Sequence, residues 1–276
     1  METSFETLLY EEDDGVAIVT LNRPEVHNAF NMQMQRDLHE LWTSLRHHDA
    51  VRVVILTGAG DKAFCTGIDR SEQIEDSYLT DKPRDKERTG RVSTGFMYND
   101  PGRNINPKAN DLWKPVIAAV NGMACAGALY MLGEADIIIA AEHATFFDPH
   151  VTYGMVAGYE SVHLLQKLPL GETLRIALLG AHERMSAARA HQVGLVSEVV
   201  PAPELRERAL WVARAVASAP VLVVQGTLKA VWMAHELTRR QALAHVSSLV
   251  ALGSEYDTIA QGQETFKSDR TEWRLR

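Results

Sequence analysis

The sequence predicts an α/β core followed by a lobe of helices. Three observations carry this prediction. Apolar, β-branched runs such as Val51–Thr57 (VRVVILT) and Val116–Val120 (VIAAV) alternate with helical stretches. Glycine-marked turns follow those runs. From about Glu160 onward the chain reads as mostly helical. Strand–helix–strand alternation with apolar strands is the pattern of a sheet covered by helices.

Leu8–Tyr10 and Val16–Leu21 flank EEDDG and read as a β-hairpin. Leu38, Leu41, Trp42 and Leu45 recur at helical spacing. A helix is therefore expected from Asn31 to about His47, capped by Asn28 or Asn31. VRVVILT is a buried strand ended by GAGD. Ser71 to Asp111 is polar and charged. A connection of that length without pattern is a functional flap or disorder, and a flap over a pocket is the expectation here. The pattern then starts again. Val116–Val120 is a strand, Gly127–Gly133 a short helix, Ile137–Ala141 a strand and Ala144–Phe147 another. Helices follow at Pro203–Ala217, Val221–Arg239 and Gln241–Leu252, after a strand at Leu195–Val200. With no Gly/Ser linker, residues 1–200 read as the core with a 71–111 insertion, and residues 201–276 as a C-terminal helical lobe.

Composition narrows the function. The 46% hydrophobic and 23% charged fractions exclude global disorder. Two cysteines, Cys65 and Cys125, exclude a disulfide framework and a Cys-rich zinc module. The net charge of −8 argues against a general nucleic-acid or anionic-membrane binder. The N-terminal METSFETLLYEEDDG has no basic stretch followed by an apolar one, so a cytoplasmic location is expected. Val116–Gly133 approaches membrane-spanning length. However, Gly122, Gly127 and Gly133 interrupt it, and Glu134 and Asp136 follow, so strand, turn and buried helix is the better reading.

Two glycine-marked turns hold the candidate chemistry: KAFCTGID (Lys62–Asp69) and NGMACAGA (Asn121–Ala128). Glycine after a buried strand lets backbone approach a ligand closely. Two such turns can aim two N–H groups at one oxygen, an oxyanion hole; alternatively both are packing turns. Cys65 and Cys125 sit one in each turn and read as small buried hydrophobes, since a nucleophilic thiol needs a base or a cation beside it.

LNRPEVHNAFN, AFCTGID, KPVIAAVNGMACAGA with ADIIIAAEHATF, ASAPVLVVQGTLKA and QETFKSDR resemble, in this order and spacing, the crotonase (enoyl-CoA hydratase/isomerase) superfamily. The resemblance covers the chain apart from the insertion. It implies a spiral of ββα units, assembled as trimers or hexamers, acting on acyl-coenzyme A. It also implies that coenzyme A is part of the substrate, with no permanently bound cofactor and no metal. The family's oxyanion donors fall on Ile68 and Gly127. Two fixed N–H dipoles stabilise an enolate oxygen more in the transition state than in the ground state.

Two positions depart from the family's hydratases, which use two glutamates. One lies three residues after the oxyanion glycine and is Tyr130 here. The other follows a proline in a segment reading FFDPH and is His150 here. Ordinary two-glutamate hydration is therefore not expected. His150 titrates near neutrality and can act as acid or base. A β-diketone-hydrolysing branch of the superfamily carries His at this position, oriented by an Asp nine residues on. Here Tyr159 is nine on and Glu160 one later. Asp148 is nearer, and on an extended chain it would share a face with His150. Tyr130 is a hydrogen-bond donor or a pocket wall.

Coenzyme A phosphates need a local basic cluster, for which Lys62, Arg70 and Lys229 are candidates; the alternative is solvated surface. The resemblance places Asp69 in the segment that meets the adenine. It places Phe266 as an aromatic that closes a neighbouring subunit's acyl pocket. The resulting expectation is a homo-oligomeric enzyme of acyl-CoA thioesters, with no nucleic-acid or membrane partner. Two alternatives stay open: a hydrolase of a thioester or β-dicarbonyl using His150 to activate water, and a non-catalytic acyl-CoA binder.

Overall fold

The computed structural model describes residues 4–71, 100–268 and 274–275. Most of the expected flap, residues 72–99, lies outside the described residues. Strands β1 (Leu8–Asp13) and β2 (Val16–Leu21) pair antiparallel across Asp14 and Gly15, whose φ values are 46° and 79°. Asp-Gly tolerates the left-handed pair that a two-residue hairpin turn needs. Asn31 caps α1 (Met32–Leu45), accepting the Met34 N–H at 2.9 Å. Met34, Leu38, Leu41, Trp42 and Leu45 form its buried stripe. Asn28 is not the cap. It sits at φ 56°, and its amide donates to the Ala59 and Ala63 carbonyls, tying down the turn after β3 (Val53–Gly58).

Two sheets build the core. One contains β1, β2 and β3, then β5 (Val116–Val120), β7 (Ile137–Ala141) and β10 (Glu198–Val200), in the order β1-β2-β3-β5-β7-β10. Every pairing beyond the hairpin is parallel. The second contains β4 (Ala63–Cys65), β6 (Met123–Cys125), β8 (Thr145–Phe147) and β9 (Met185–Ser186), in that order. Each long strand hands the chain to a short one: β3 to β4, β5 to β6, β7 to β8. In the sequence, β4 and β6 read as parts of glycine turns, because strands of three residues are too short to show alternation; the second sheet they build is a feature of the fold alone.

Helix α2 (Gly102–Ile105) receives the Trp42 indole N–H on its Ile105 carbonyl, 2.9 Å away. Helices α3 (Ala128–Glu134), α4 (Tyr159–Leu165), α5 (Leu170–Leu179) and α6 (Ala187–Gln192) pack around the second sheet. Val116–Gly133 thus divides among β5, β6 and α3, and among the described residues no single helix is long and apolar enough to cross a membrane. Alternation decides which side chains meet which layer. Val54 and Leu56 face the core shared with α1 and the second sheet. Val53 and Ile55 face α7 (Leu205–Ala217), whose Leu205, Ala209, Ala213 and Ala217 recur every fourth residue.

The tail is α8 (Val221–Glu236), α9 (Arg239–Gly253) and α10 (Tyr256–Ser268). The expected helix Val221–Arg239 ends at Glu236, because Thr238 and Gln241 form a capping box that starts α9. The expected strand Leu195–Val200 shortens to β10. The Trp232 indole on α8 donates to Asp136 Oδ1 at 2.7 Å. No α8 side chain is fully buried, and Leu222, Val231, Leu243, Val250 and Leu252 are exposed.

Candidate active site

β4, β6 and β8 lie side by side and parallel, so their C-terminal ends emerge together. Three predicted site segments leave those ends: Gly67–Asp69 after β4, Gly127 after β6 and Asp148–His150 after β8. Loops at the carboxyl ends of adjacent parallel strands are where such sheets bind ligands.

The two turns touch. Gly67 has φ +82°, and a Cβ there would stand 2.8 Å from both the Ala126 Cβ and the Gly127 amide nitrogen. A Cβ on Gly127 would meet the Phe30 ring at 2.6 Å. Phe30 also forms a parallel bridge with Ile68. Its N–H donates to the Gly67 carbonyl at 2.8 Å, and its carbonyl accepts from the Asp69 N–H at 2.9 Å. In such a bridge the residue between the two bonded groups turns its own N–H to the other side. Among the described residues, neither the Ile68 nor the Gly127 N–H has a protein acceptor. Phe30 was legible only as part of a family segment; its clamp on both turns depends on tertiary contact.

His150 is held from two sides. Its Nδ1 lies 2.5 Å from Asp148 Oδ1, which also accepts the His150 backbone N–H at 3.1 Å. The expected extended chain is not what pairs them. His150 opens a 3-10 turn, and Asp148 folds back over Pro149 as an Asx turn. Its Nε2 lies 3.5 Å from Glu160 Oε1 at the start of α4. Both carboxylates thus reach one ring. Asp148 is fully buried, and its Oδ2 has no partner among the described residues. The Asp148 hydrogen bond, opposed by burial, holds the His150 imidazole above its ordinary pKa, and the Glu160 charge adds to this. Burial raises the Glu160 carboxyl, although His150 and a hydrogen bond from the Tyr130 hydroxyl pull the other way. The three side chains offer ligand atoms within 4.8 Å of one another. With Nδ1 engaged by Asp148, Nε2 is the ring nitrogen left facing Glu160.

Tyr130 lies on α3, buried, with its ring 6.2 Å from Tyr159 and 5.5 Å from His163. It is both a wall and a donor. Cys65 and Cys125 are buried, and burial pushes each thiol up to about 12, so neither supplies a thiolate. The Asp69 carboxylate is occupied within the chain. Arg23 Nη1 lies 2.8 Å away, and the Ser71 N–H and hydroxyl both donate to it. Burial opposes these bonds, yet together they hold Asp69 below its usual range.

The three candidate phosphate cations are held at separate places. Lys62 is exposed at the end of β4 away from Ile68. The Arg70 guanidinium stacks 4.6 Å from the Tyr153 ring, beside the His150 turn. Lys229 Nζ lies 4.8 Å over the Trp113 ring. Phe266 is exposed on α10.

The enoyl-CoA hydratase/isomerase family model matches residues 11–274. An (E)-benzylidenesuccinyl-CoA hydratase of Thauera aromatica is 31% identical, over 94% of this chain and 95% of that protein. A 1,2-epoxyphenylacetyl-CoA isomerase of Escherichia coli K12 is 35% identical, over 78% of each. A crystal structure of an enoyl-CoA hydratase/isomerase from Mycobacterium paratuberculosis superposes with a TM-score of 0.83 at 35% identity, covering 99% of this chain and 100% of that one. Whole-chain sequence match, shared architecture and the order of motifs agree: this chain belongs to the enoyl-CoA hydratase/isomerase family and is an enzyme of acyl-CoA thioesters.

Proposed function

We propose that the protein stabilises a thioester enolate with the Ile68 and Gly127 amides and moves the proton with His150. The observation that carries this reading is the contact between the two turns, with both amides lacking a protein acceptor. An enolate concentrates charge on its carbonyl oxygen, and fixed dipoles meet that charge without reorganising. Losing one such donor costs about 3–4 kcal/mol of transition-state stabilisation in other enzymes. His150, with Nδ1 engaged by Asp148, presents Nε2 as the working nitrogen.

The reaction is not standard two-glutamate hydration, since Tyr130 and His150 stand at the two acid–base positions. Crotonyl-CoA should be hydrated weakly or not at all, measured by loss of enoyl absorbance. Turnover equal to that of a two-glutamate hydratase would overturn this. His150→Ala should abolish α-proton exchange of butyryl-CoA in D2O while leaving its affinity, read by calorimetry, nearly intact.

A second reading, hydrolysis, is favoured by the short Asp148–His150 contact, which suits activation of water. Release of free coenzyme A from a thioester panel separates it from the first. Binding across the panel without turnover or exchange would instead favour a non-catalytic acyl-CoA binder. The homo-oligomer, the phosphate contacts of Lys62, Arg70 and Lys229, the adenine contact of the Asp69 segment, pocket closure by Phe266 and a cytoplasmic location belong to the same proposal.

A further inference from the structure

We propose that Glu160, held by the Tyr130 hydroxyl, is a second proton station of this site, a positioning residue that exchanges one proton with His150 across the Nε2–Oε1 gap. The proposal rests on the reading of His150 as the proton mover. The sequence suggested Asp148 or Glu160 as alternative partners that orient the imidazole. The structure gives them different nitrogens. Asp148 takes Nδ1, which fixes the ring's orientation. Glu160 faces Nε2, the side from which a proton must leave or arrive. At 3.5 Å that contact is longer than a formed hydrogen bond, so the gap can close when the ring changes charge.

The surroundings leave Glu160 few other ways to settle its charge. Its carboxylate is 4% exposed and the His150 side chain 16%, so water screens the pair weakly. On α3 the facing group is the Tyr130 hydroxyl. On α4 itself His163 stacks near Tyr130, and burial, with the nearby Lys167 charge, lowers its pKa, so it stays neutral at physiological pH. After β8 the facing groups are His150, whose charge lowers Glu160, and Asp148, whose charge raises it. Arg184 stacks over Phe147 on the Cys125 side, and the Cys125 thiol stays protonated. Among the described residues no Lys or Arg forms an ion pair with Glu160. The proton on His150 is therefore the one that can neutralise it.

The step balances. Nε2 takes the α-proton of the thioester, and the C–H electron pair stays on the substrate as the enolate. The imidazolium passes its Nε2 proton to the Glu160 carboxylate, which becomes neutral, and the imidazole is regenerated. Reversal returns the proton, either to the same carbon or to another. The Tyr130 hydroxyl keeps its own proton and holds the carboxyl against the ring.

The test uses the full chain labelled with 15N-histidine, titrated by NMR, and α-proton exchange of butyryl-CoA in D2O. The His150 ring signal should move in two steps in the wild type. Glu160→Gln should remove one step and shift the other to lower pH, because an anion beside the imidazole is lost. Tyr130→Phe should keep both steps and move the Glu160 step to higher pH, because a bond that favours the carboxylate is lost. Exchange should slow about tenfold in Glu160→Gln, with the butyryl-CoA KM unchanged. A His150 titration identical in wild type and Glu160→Gln overturns the proposal. Should Glu160→Gln not fold, an unmoved Glu160 step in Tyr130→Phe overturns it. A wild-type chain that exchanges no α-proton overturns the enolate reading instead, while the titration still decides the pair.

Discussion

Gly67 shows how tightly one residue ties backbone strain to chemistry. Its φ of +82° is the left-handed region, where an L side chain costs about 1–2 kcal/mol. Its missing Cβ also leaves room for the Gly127 amide, which a methyl group would approach to 2.8 Å. Gly60 shares nearly the same angle, φ +79°, but a Cβ there meets only Pro24 Cβ at 3.6 Å. The two substitutions therefore separate strain from site geometry. Gly60→Ala should lower the melting temperature and leave butyryl-CoA exchange intact. Gly67→Ala should lower both, with exchange falling about a hundredfold, the scale on which single oxyanion donors act. Equal exchange in the two variants would refute the placement of the hole. The Phe30 ring at Gly127 and the bridge at Ile68 add the same lesson: side chains far apart in sequence hold the amides in place.

Among the elements, α1 is the best specified and α8 the least. α1 has a cap, a five-residue buried stripe and an indole tied to α2. Asn31→Ala should cost about 1 kcal/mol in urea unfolding, since it orphans the Met34 N–H at a buried helix end. Asn28→Ala acts on a different element, the β3–β4 turn, and should not share that cost's origin. The short strands β4, β6 and β8 position the candidate site despite their length. Their parallel pairing brings three loops to one edge, and no isolated three-residue strand could do so. By contrast α8 to α10 meet the core through few buried side chains, with Trp232–Asp136 as a polar tether.

At the level of the whole molecule, the charge is spread unevenly in its effects. The net −8 gives no general attraction for a polyphosphate, and the candidate cations stand at three separate places in one chain. Apolar residues on α4, α5 and the tail helices are exposed: Val162, Leu170, Leu178, Val231, Leu243 and Leu252 among them. A single chain rarely leaves so much apolar helix surface to water, so a partner copy should cover it. Light scattering after size exclusion should give a mass three or six times 30.7 kDa. A monomer at micromolar concentration would count against the oligomer and against pocket closure by Phe266 together.

The order of residues sufficed for the family, the α/β class, the long strands and α1, because apolar periodicity and capping are local signals. It also offered Ile68, Gly127 and His150 as candidates, through motifs whose spacing survives in the chain. It could not show β4, β6 and β9 as a sheet, since pairing between short strands is a long-range event. Nor could it choose between Asp148 and Glu160. Sequence distance favoured the first, but α4 folds the second against the opposite nitrogen, and only packing brings both carboxylates to one ring.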